Sequence, residues 1–187
     1  MDHERRQLVA ILAADIVGYS RLMADDESGT LARLKALRSE VVDPTVAAFR
    51  GRLVGSAGDS FLAEFPSASD AVRCACEIQE QIARRNADLP SQSQMTFRVG
   101  VNLGDVIADG ETIYGDGVNL AARLEKLSKP GEICVSRSVY DQVRGKLSLA
   151  FVDMGEVAVH NIPNPVHAYR IVPVSYTHLT LPTIYSV

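Results

Sequence analysis

Cysteine is scarce. Cys74, Cys76 and Cys134 are the three thiols in 187 residues, an odd count with no Cys-x-x-Cys pair. This excludes a disulfide framework and the common zinc and redox motifs, and leaves small buried hydrophobes in a reducing compartment as the expected role. The histidines His3, His160, His167 and His178 stand at no metal-ligand spacing. Basic charge is also short. Lys and Arg total 19 against 23 Asp and Glu, a net charge of -4, whereas a protein that grips phosphate backbones presents a basic face, so nucleic acid is not an expected partner. Long apolar runs are missing as well. The stretch from Leu8 to Val17 is too short to span a bilayer and holds Asp15. Neither a signal peptide nor a membrane span is expected, and this domain by itself is expected in the cytoplasm.

What is present suits one packed domain. Hydrophobic residues make up 47% and charged residues 22%, which separates the chain from disordered sequences. Gln7 to Asp15 reads as a buried strand. A short helix is expected near Ser20 to Ala24, then a longer one from Asp26 or Ser28 with Leu31, Leu34, Leu37 and Val41 inward. Asp43-Pro44 reads as a helix restart, with Asp as the cap. Arg52–Ala57 and Ser60–Phe65 form a hairpin around Gly58-Asp59. Pro66-Ser67 opens a helix with Ala68, Ala71, Val72, Ala75, Ile78 and Ile82 as its apolar stripe. Thr96 to Leu103 alternates as a strand, a second hairpin region covers Gly104 to Gly110, and a helix follows over Val118 to Leu127. A strand at Ile133–Val135, a helix at Arg137–Val143 and strands near Leu149–Asp153 and His167–Val172 complete the order. Hairpins mixed with crossover helices imply an α+β, ferredoxin-like mixed sheet with helices packed on it. Residues 175–187 follow the last strand and read as a non-native or disordered tail behind a domain of residues 1–174.

Three places carry chemistry. Asp15 ends the apolar run Ile11-Leu12-Ala13-Ala14-Asp15-Ile16-Val17, where an ionised carboxylate is costly unless it is paired or bound to a cation. A strand-end Asp capping the next helix is the plainer alternative. Asp59 sits at a hairpin tip in Gly55-Ser56-Ala57-Gly58-Asp59-Ser60, which alone is a plain turn aspartate. If the two strands are neighbours, two carboxylates converge on one edge, and such hard oxygen ligands suit Mg²⁺ or Mn²⁺ with substrate phosphates completing the shell. Finally, Gly115-Asp116-Gly117 precedes Val118-Asn119-Leu120-Ala121-Ala122-Arg123. Asn119 and Arg123 are four apart and share a helix face, where an amide and a guanidinium can hold a sugar and a phosphate. The glycines and small residues suggest close backbone approach.

Taken in order, these segments resemble the class III adenylate and guanylate cyclases. Ala14-Asp15-Ile16-Val17-Gly18-Tyr19-Ser20 is similar to the family's first metal motif, Gly58-Asp59 followed by Phe61-Leu62-Ala63-Glu64-Phe65 to the second, and Val118 to Arg123 to its ribose and transition-state motif. Arg98-Val99-Gly100-Val101-Asn102-Leu103-Gly104 resembles its central strand. The resemblance implies cyclisation of ATP or GTP. Asp15, Asp59 and the Ile16 carbonyl would hold two Mg²⁺ or Mn²⁺ ions. Backbone amides of Val17, Gly18 and Tyr19, with Ser20 beside them, would meet the phosphates. Asn119 would orient the ribose, and Arg123 would stabilise charge on the α-phosphate. It also implies a head-to-tail homodimer whose sites combine residues of both subunits.

The sequence departs from the family at the base pocket. Gly55 stands where the family carries a base-selecting Lys, and Thr112 stands at the second selecting position. Val54, Ser56 and Thr112 are expected to line this pocket, with ATP as the expected substrate and GTP as the alternative. A degenerate domain that only dimerises and binds nucleotide is the competing reading. A diguanylate cyclase of the related ferredoxin-like type is the second alternative; Ala57-Gly58-Asp59-Ser60-Phe61 does not match that family's Gly-Gly-Asp/Glu-Glu-Phe signature, and the Asn119/Arg123 helix belongs to the first family.

Overall fold

The structure is a computed structural model, and it describes residues 4–172. The proposed tail at 175–187 and the domain limit at 174 lie outside the described residues. The first strand, β1 (Arg5–Ile16), explains the apolar run. Ala10, Leu12, Ala14 and Ile16 point into the main core, while Val9, Ile11 and Ala13 point into a second cluster on the opposite face. A strand covered on both faces needs apolar residues at every position, and β1 is central. Asp15 continues the odd-numbered series and so faces the second cluster.

Beyond β1 the elements run α1 (Tyr19–Asp25), α2 (Glu27–Leu37), α3 (Asp43–Ala48), β2 (Arg52–Ala57), β3 (Ser60–Phe65), α4 (Ala68–Ala87), β4 (Phe97–Asp109) and β5 (Thr112–Tyr114). Then come α5 (Asp116–Leu127), β6 (Ile133–Ser136), α6 (Arg137–Val143), β7 (Ala150–Val157) and β8 (Val166–Val172). The sheet order is β2-β3-β1-β4-β6-β8-β7, with β5 folded back on the end of β4. Strands β4 and β6 are parallel; the other pairs among the described strands are antiparallel. This is the expected α+β mixed sheet. Helix α4 contributes its whole expected stripe to the main core, from Ala68 to Ile82. Its Ser67 hydroxyl accepts from the Asp70 amide, a cap worth about 1 kcal/mol. Helix α5 lies on the other face.

The helices after β1 correct two expectations. Leu31 is not on the inner stripe of α2 but 37% exposed. Thr30 is buried in its place, its hydroxyl donating 2.9 Å to the Leu22 carbonyl. Asp43 is not a cap. The chain stays helical from α2 into α3 through a wide π-turn over Arg38–Val42, and the Asp43 amide donates to the Arg38 carbonyl five residues back. A proline in a helix clashes with the carbonyl four residues before it, and the wide turn ahead of Pro44 accommodates the ring without ending the helix.

Cys74 and Cys134 are fully buried and unpaired. Burial pushes both thiols up to about 12. Thiolate is the reactive form, so its fraction at pH 8 is on the order of 10⁻⁴. Labelling of these two by a thiol reagent at pH 8 is expected to await unfolding; rapid labelling of either in the folded protein would contradict this packing.

Candidate active site

The β2–β3 turn carries Asp59 to the end of β1. Gly58 supplies the turn's left-handed residue, with φ of 58°. The Asp59 carboxylate then accepts from the Ile16 amide, with Oδ2 at 3.2 Å. The hairpin tip is thereby tied to the residue after Asp15, and the two carboxylates share one corner of the sheet. Asp15 Oδ1 is buried without a hydrogen-bond partner. A buried carboxylate oxygen in that state is costly. A cation would satisfy it. Among the described residues no three His, Cys, Asp or Glu side chains cluster as a metal cage. Two carboxylates with room for substrate oxygens fit Mg²⁺ or Mn²⁺, which keep few protein ligands.

Val17, Gly18, Tyr19 and Ser20 turn the chain from β1 into α1. Gly18 takes the left-handed conformation, with φ of 66° and ψ of 30°. The Val17 amide is already used: it donates 2.8 Å to the Thr96 carbonyl, because the β1–β4 ladder runs one residue past the strand. That removes Val17 from the expected phosphate donors. The Tyr19 and Ser20 amides open the helix, where first-turn N–H groups have no partner four residues back.

Helix α5 sits directly on β4. A Cβ added at Gly100 would lie 2.3 Å from the Glu125 nitrogen and 2.4 Å from the Ala121 oxygen. One at Gly117 would lie 2.8 Å from the Asp105 carbonyl oxygen. The glycines therefore permit the close backbone approach expected of that turn. Asn119 is exposed and Arg123 half-buried on the outward side of α5, and neither has a side-chain hydrogen bond or ion pair among those of the described residues. They face away from the chain rather than toward the Asp15–Asp59 corner. A cavity of about 760 Å³ opens elsewhere, lined by Asn102, Gly104, Asp116, Arg137 and His167, and includes neither aspartate.

Gly55 is exposed on β2, and a Cβ there would meet only Leu62 Cβ at 3.7 Å. The strand bulges at Val54, and Val54 joins Ile113 of β5 in the second cluster. Thr112 is half-buried next to Ile113. Ser56 does not join them. Its hydroxyl accepts from the Arg38 guanidinium, which also donates 2.8 Å to the Ser60 carbonyl on the main-core face.

The sequence profile of the adenylate and guanylate cyclase catalytic domain matches residues 1–172. The chain belongs to this family. It is 47% identical over 165 residues to a Rhizobium meliloti (strain 1021) protein named "Putative adenylate cyclase 3", covering 88% of this chain and 28% of that protein. It is 30% identical over 138 residues to an adenylate cyclase of Streptomyces coelicolor, covering 72% of this chain and 34% of the relative. The cyclase domain thus spans about a third or less of these relatives. A crystal structure of an adenylate/guanylate cyclase/hydrolase from Silicibacter pomeroyi superposes with a TM-score of 0.84 at 43% identity, over 91% of this chain and 99% of that one. No helix among the described residues of the cyclase domain is long and apolar enough to cross a membrane.

Two charged residues of the cyclase domain beside Asp15 escaped the reading of the sequence. Arg98 is its cross-strand partner on β4. Glu125, on α5, is 5% exposed. Burial, then the neighbouring Asp15, holds the Glu125 carboxyl well above the usual carboxylate range, against the pull of Arg98 and Lys126. A signal did exist. Gly117, Ala121 and Leu124 form the inner stripe of α5, and Glu125 falls on it, a carboxylate at a core position.

Proposed function

We propose that the domain converts ATP to 3′,5′-cyclic AMP and pyrophosphate, as a homodimer with its sites at the subunit interface. The carrying observation is the corner where the Asp59 carboxylate meets the Ile16 amide beside a buried, unpartnered oxygen of Asp15. Asp15, Asp59 and the Ile16 carbonyl would hold two Mg²⁺ or Mn²⁺ ions, which when bound neutralise phosphate charge and make the ribose 3′-hydroxyl a better nucleophile. Gly18, Tyr19 and Ser20 offer the phosphates a left-handed turn and free helix amides. The 3′-hydroxyl gives up its proton to water, its oxygen attacks the α-phosphorus, the bond to the bridging oxygen breaks, and pyrophosphate leaves. Arg123 stabilises the charge that grows on the α-phosphate oxygens, and Asn119 holds the ribose so that the attack is in line.

The outward stance of Asn119 and Arg123 supports a site shared between two copies, each supplying what the other's aspartate corner lacks. Thr112 and the bulged β2 strand would frame the base. With no side chain at Gly55, discrimination between adenine and guanine falls to Thr112 and the backbone. The adenylate cyclase names of the two relatives favour ATP. The test is product formation by purified protein with Mg²⁺ or Mn²⁺, from ATP and separately from GTP. Cyclic AMP from wild type, lost by about 10²-fold or more in Asp59→Ala, is expected. Cyclic GMP alone would reassign the base. Nucleotide binding by a dimer without either cyclic product would assign the domain a regulatory role.

A further inference from the structure

The turn that carries Asp59 projects past its neighbour. The β1–β3 ladder stops at Ala14–Phe61, and β2 on the other side is the outer strand of the sheet. Beyond the ladder the turn meets β1 through the Asp59–Ile16 hydrogen bond, and the Ser60 hydroxyl closes it internally, donating 2.8 Å to the Ala57 carbonyl. A loop tip held this lightly opens more readily than the sheet behind it. Arg38 reaches it from the helical layer. One guanidinium nitrogen, Nη1, donates to the Ser56 hydroxyl on β2, and the other, Nη2, donates 2.8 Å to the Ser60 carbonyl on β3. The guanidinium carbon lies 5.8 Å from the centre of the Phe61 ring, and Phe61 packs edge-on against Phe97 with ring centres 5.6 Å apart. Arg38 Nε is buried without a partner, a cost that an arginine left in solvent would not carry. The π-turn begins at Arg38, whose carbonyl accepts from the Asp43 amide.

We propose that Arg38 is a positioning residue for the cyclisation reaction: its fork clamps the two sides of the β2–β3 turn and so holds Asp59 against Ile16. This rests on the cyclase reading above. A planar guanidinium presents its nitrogens at fixed spacing, so it sets Ser56 and Ser60 relative to each other. Asp59 directly precedes Ser60, and the clamp therefore acts one residue from the carboxylate. The Arg38 hydrogen bonds go to the two strands, which leaves the Asp59 carboxylate to the Ile16 amide and a cation. Arg52 provides the contrast on the same hairpin. It donates to Glu64 from two nitrogens, at 2.9 and 2.6 Å. Arg52 and Glu64 face each other at the open end of the hairpin, so this pair ties the same two strands without touching the turn.

The test is amide hydrogen exchange at Ile16 in the metal-free full chain, read by nuclear magnetic resonance. Mn²⁺ affinity, from electron paramagnetic resonance of free Mn²⁺, and melting temperature are measured alongside. Wild type, Arg38→Met, Arg38→Lys, Arg52→Met and Asp59→Ala are compared. Arg38→Met removes two charge-assisted bonds from the tip, and exchange at Ile16 is expected to quicken by about 10-fold or more. Its Mn²⁺ affinity is expected to fall by about 10-fold, the low end for a group outside the metal's own ligands. Arg38→Lys keeps the charge but offers a single nitrogen, and is expected closer to Arg38→Met than to wild type. Arg52→Met loses an ion pair of the same hairpin, yet both readouts should stay within about twofold of wild type. Wild-type exchange at Ile16 in Arg38→Met would overturn the inference, as would an equal quickening in Arg52→Met, which would mean a general loosening of the hairpin. Faster exchange with unchanged Mn²⁺ affinity would reduce Arg38 to a structural part and overturn it as well. Should wild type bind Mn²⁺ no better than Asp59→Ala, the cyclase reading fails, while faster Ile16 exchange in Arg38→Met still supports the clamp on Asp59.

Discussion

Asp59→Ala and Arg123→Ala, each inactive alone, should regain activity when mixed. The expectation follows from where one chain places its groups. Asp15 and Asp59 meet at the end of β1, tied by the Asp59–Ile16 hydrogen bond, whereas Arg123 and Asn119 sit on the outward side of α5. In a two-fold dimer whose sites combine the aspartates of one copy with the Asn/Arg pair of the other, a mixed dimer places both lesions in one site and leaves the second intact. Random exchange makes half of the dimers mixed, each with one working site of two, so about a quarter of wild-type activity is expected. Loss of the arginine alone removes a cation aimed at developing charge, which costs about 10²–10³-fold. Against that background a return to a quarter is a large signal. The measurement is cyclic-nucleotide formation after co-refolding or co-expression of the two variants. A mixture no more active than the better of its components would place the whole site within one chain.

The parts of this arrangement that could be read from the sequence are those where one signal dominates. β1 was legible because a centrally buried strand permits almost no polar residue, which made Asp15 conspicuous. The β2–β3 hairpin was legible because Gly58-Asp59 breaks two alternating runs, and α4 because its stripe from Ala68 to Ile82 repeats over about four turns. What escaped depended on tertiary detail that no local pattern encodes. The bulge at Val54 puts Val54 and Ser56, which would share a face in a regular strand, on opposite faces, so Ser56 meets Arg38 instead of the pocket. The β1–β4 ladder gains a residue and takes the Val17 amide. Pro44 reads as a stop signal, yet a single π-turn lets the helix continue. Glu125 was missed for another reason: a charged residue on a helix is normally assigned to solvent, and only the inner-stripe position of this one contradicts that.

Because α5 carries Asn119 and Arg123 together, the contact that seats it should matter more than either of them. That contact is Gly100. A Cβ there would meet backbone atoms, 2.3 Å from the Glu125 nitrogen and 2.4 Å from the Ala121 oxygen. No side-chain rotation relieves such a clash, so the helix must lift from the sheet, uncovering Ala121 and Leu124, both fully buried. Overpacking of this kind costs about 3 kcal/mol or more, which for a chain of this size lowers the melting temperature by about 6–12 °C. Activity should fall further than stability, since displacing positioned groups by about 1 Å can cost about 10²-fold. Gly55→Ala is the matched control. Its Cβ would make one ordinary contact, with Leu62 at 3.7 Å, and its melting temperature should stay within about 2 °C of wild type. Thermal melts of Gly100→Ala and Gly55→Ala, followed by cyclase assays of each below its melting point, separate the two effects. If Gly100→Ala melts with Gly55→Ala, α5 does not rest on β4 as described. If it melts early but retains full turnover when folded, the helix is seated by Gly100 yet does not position the groups that act on the nucleotide.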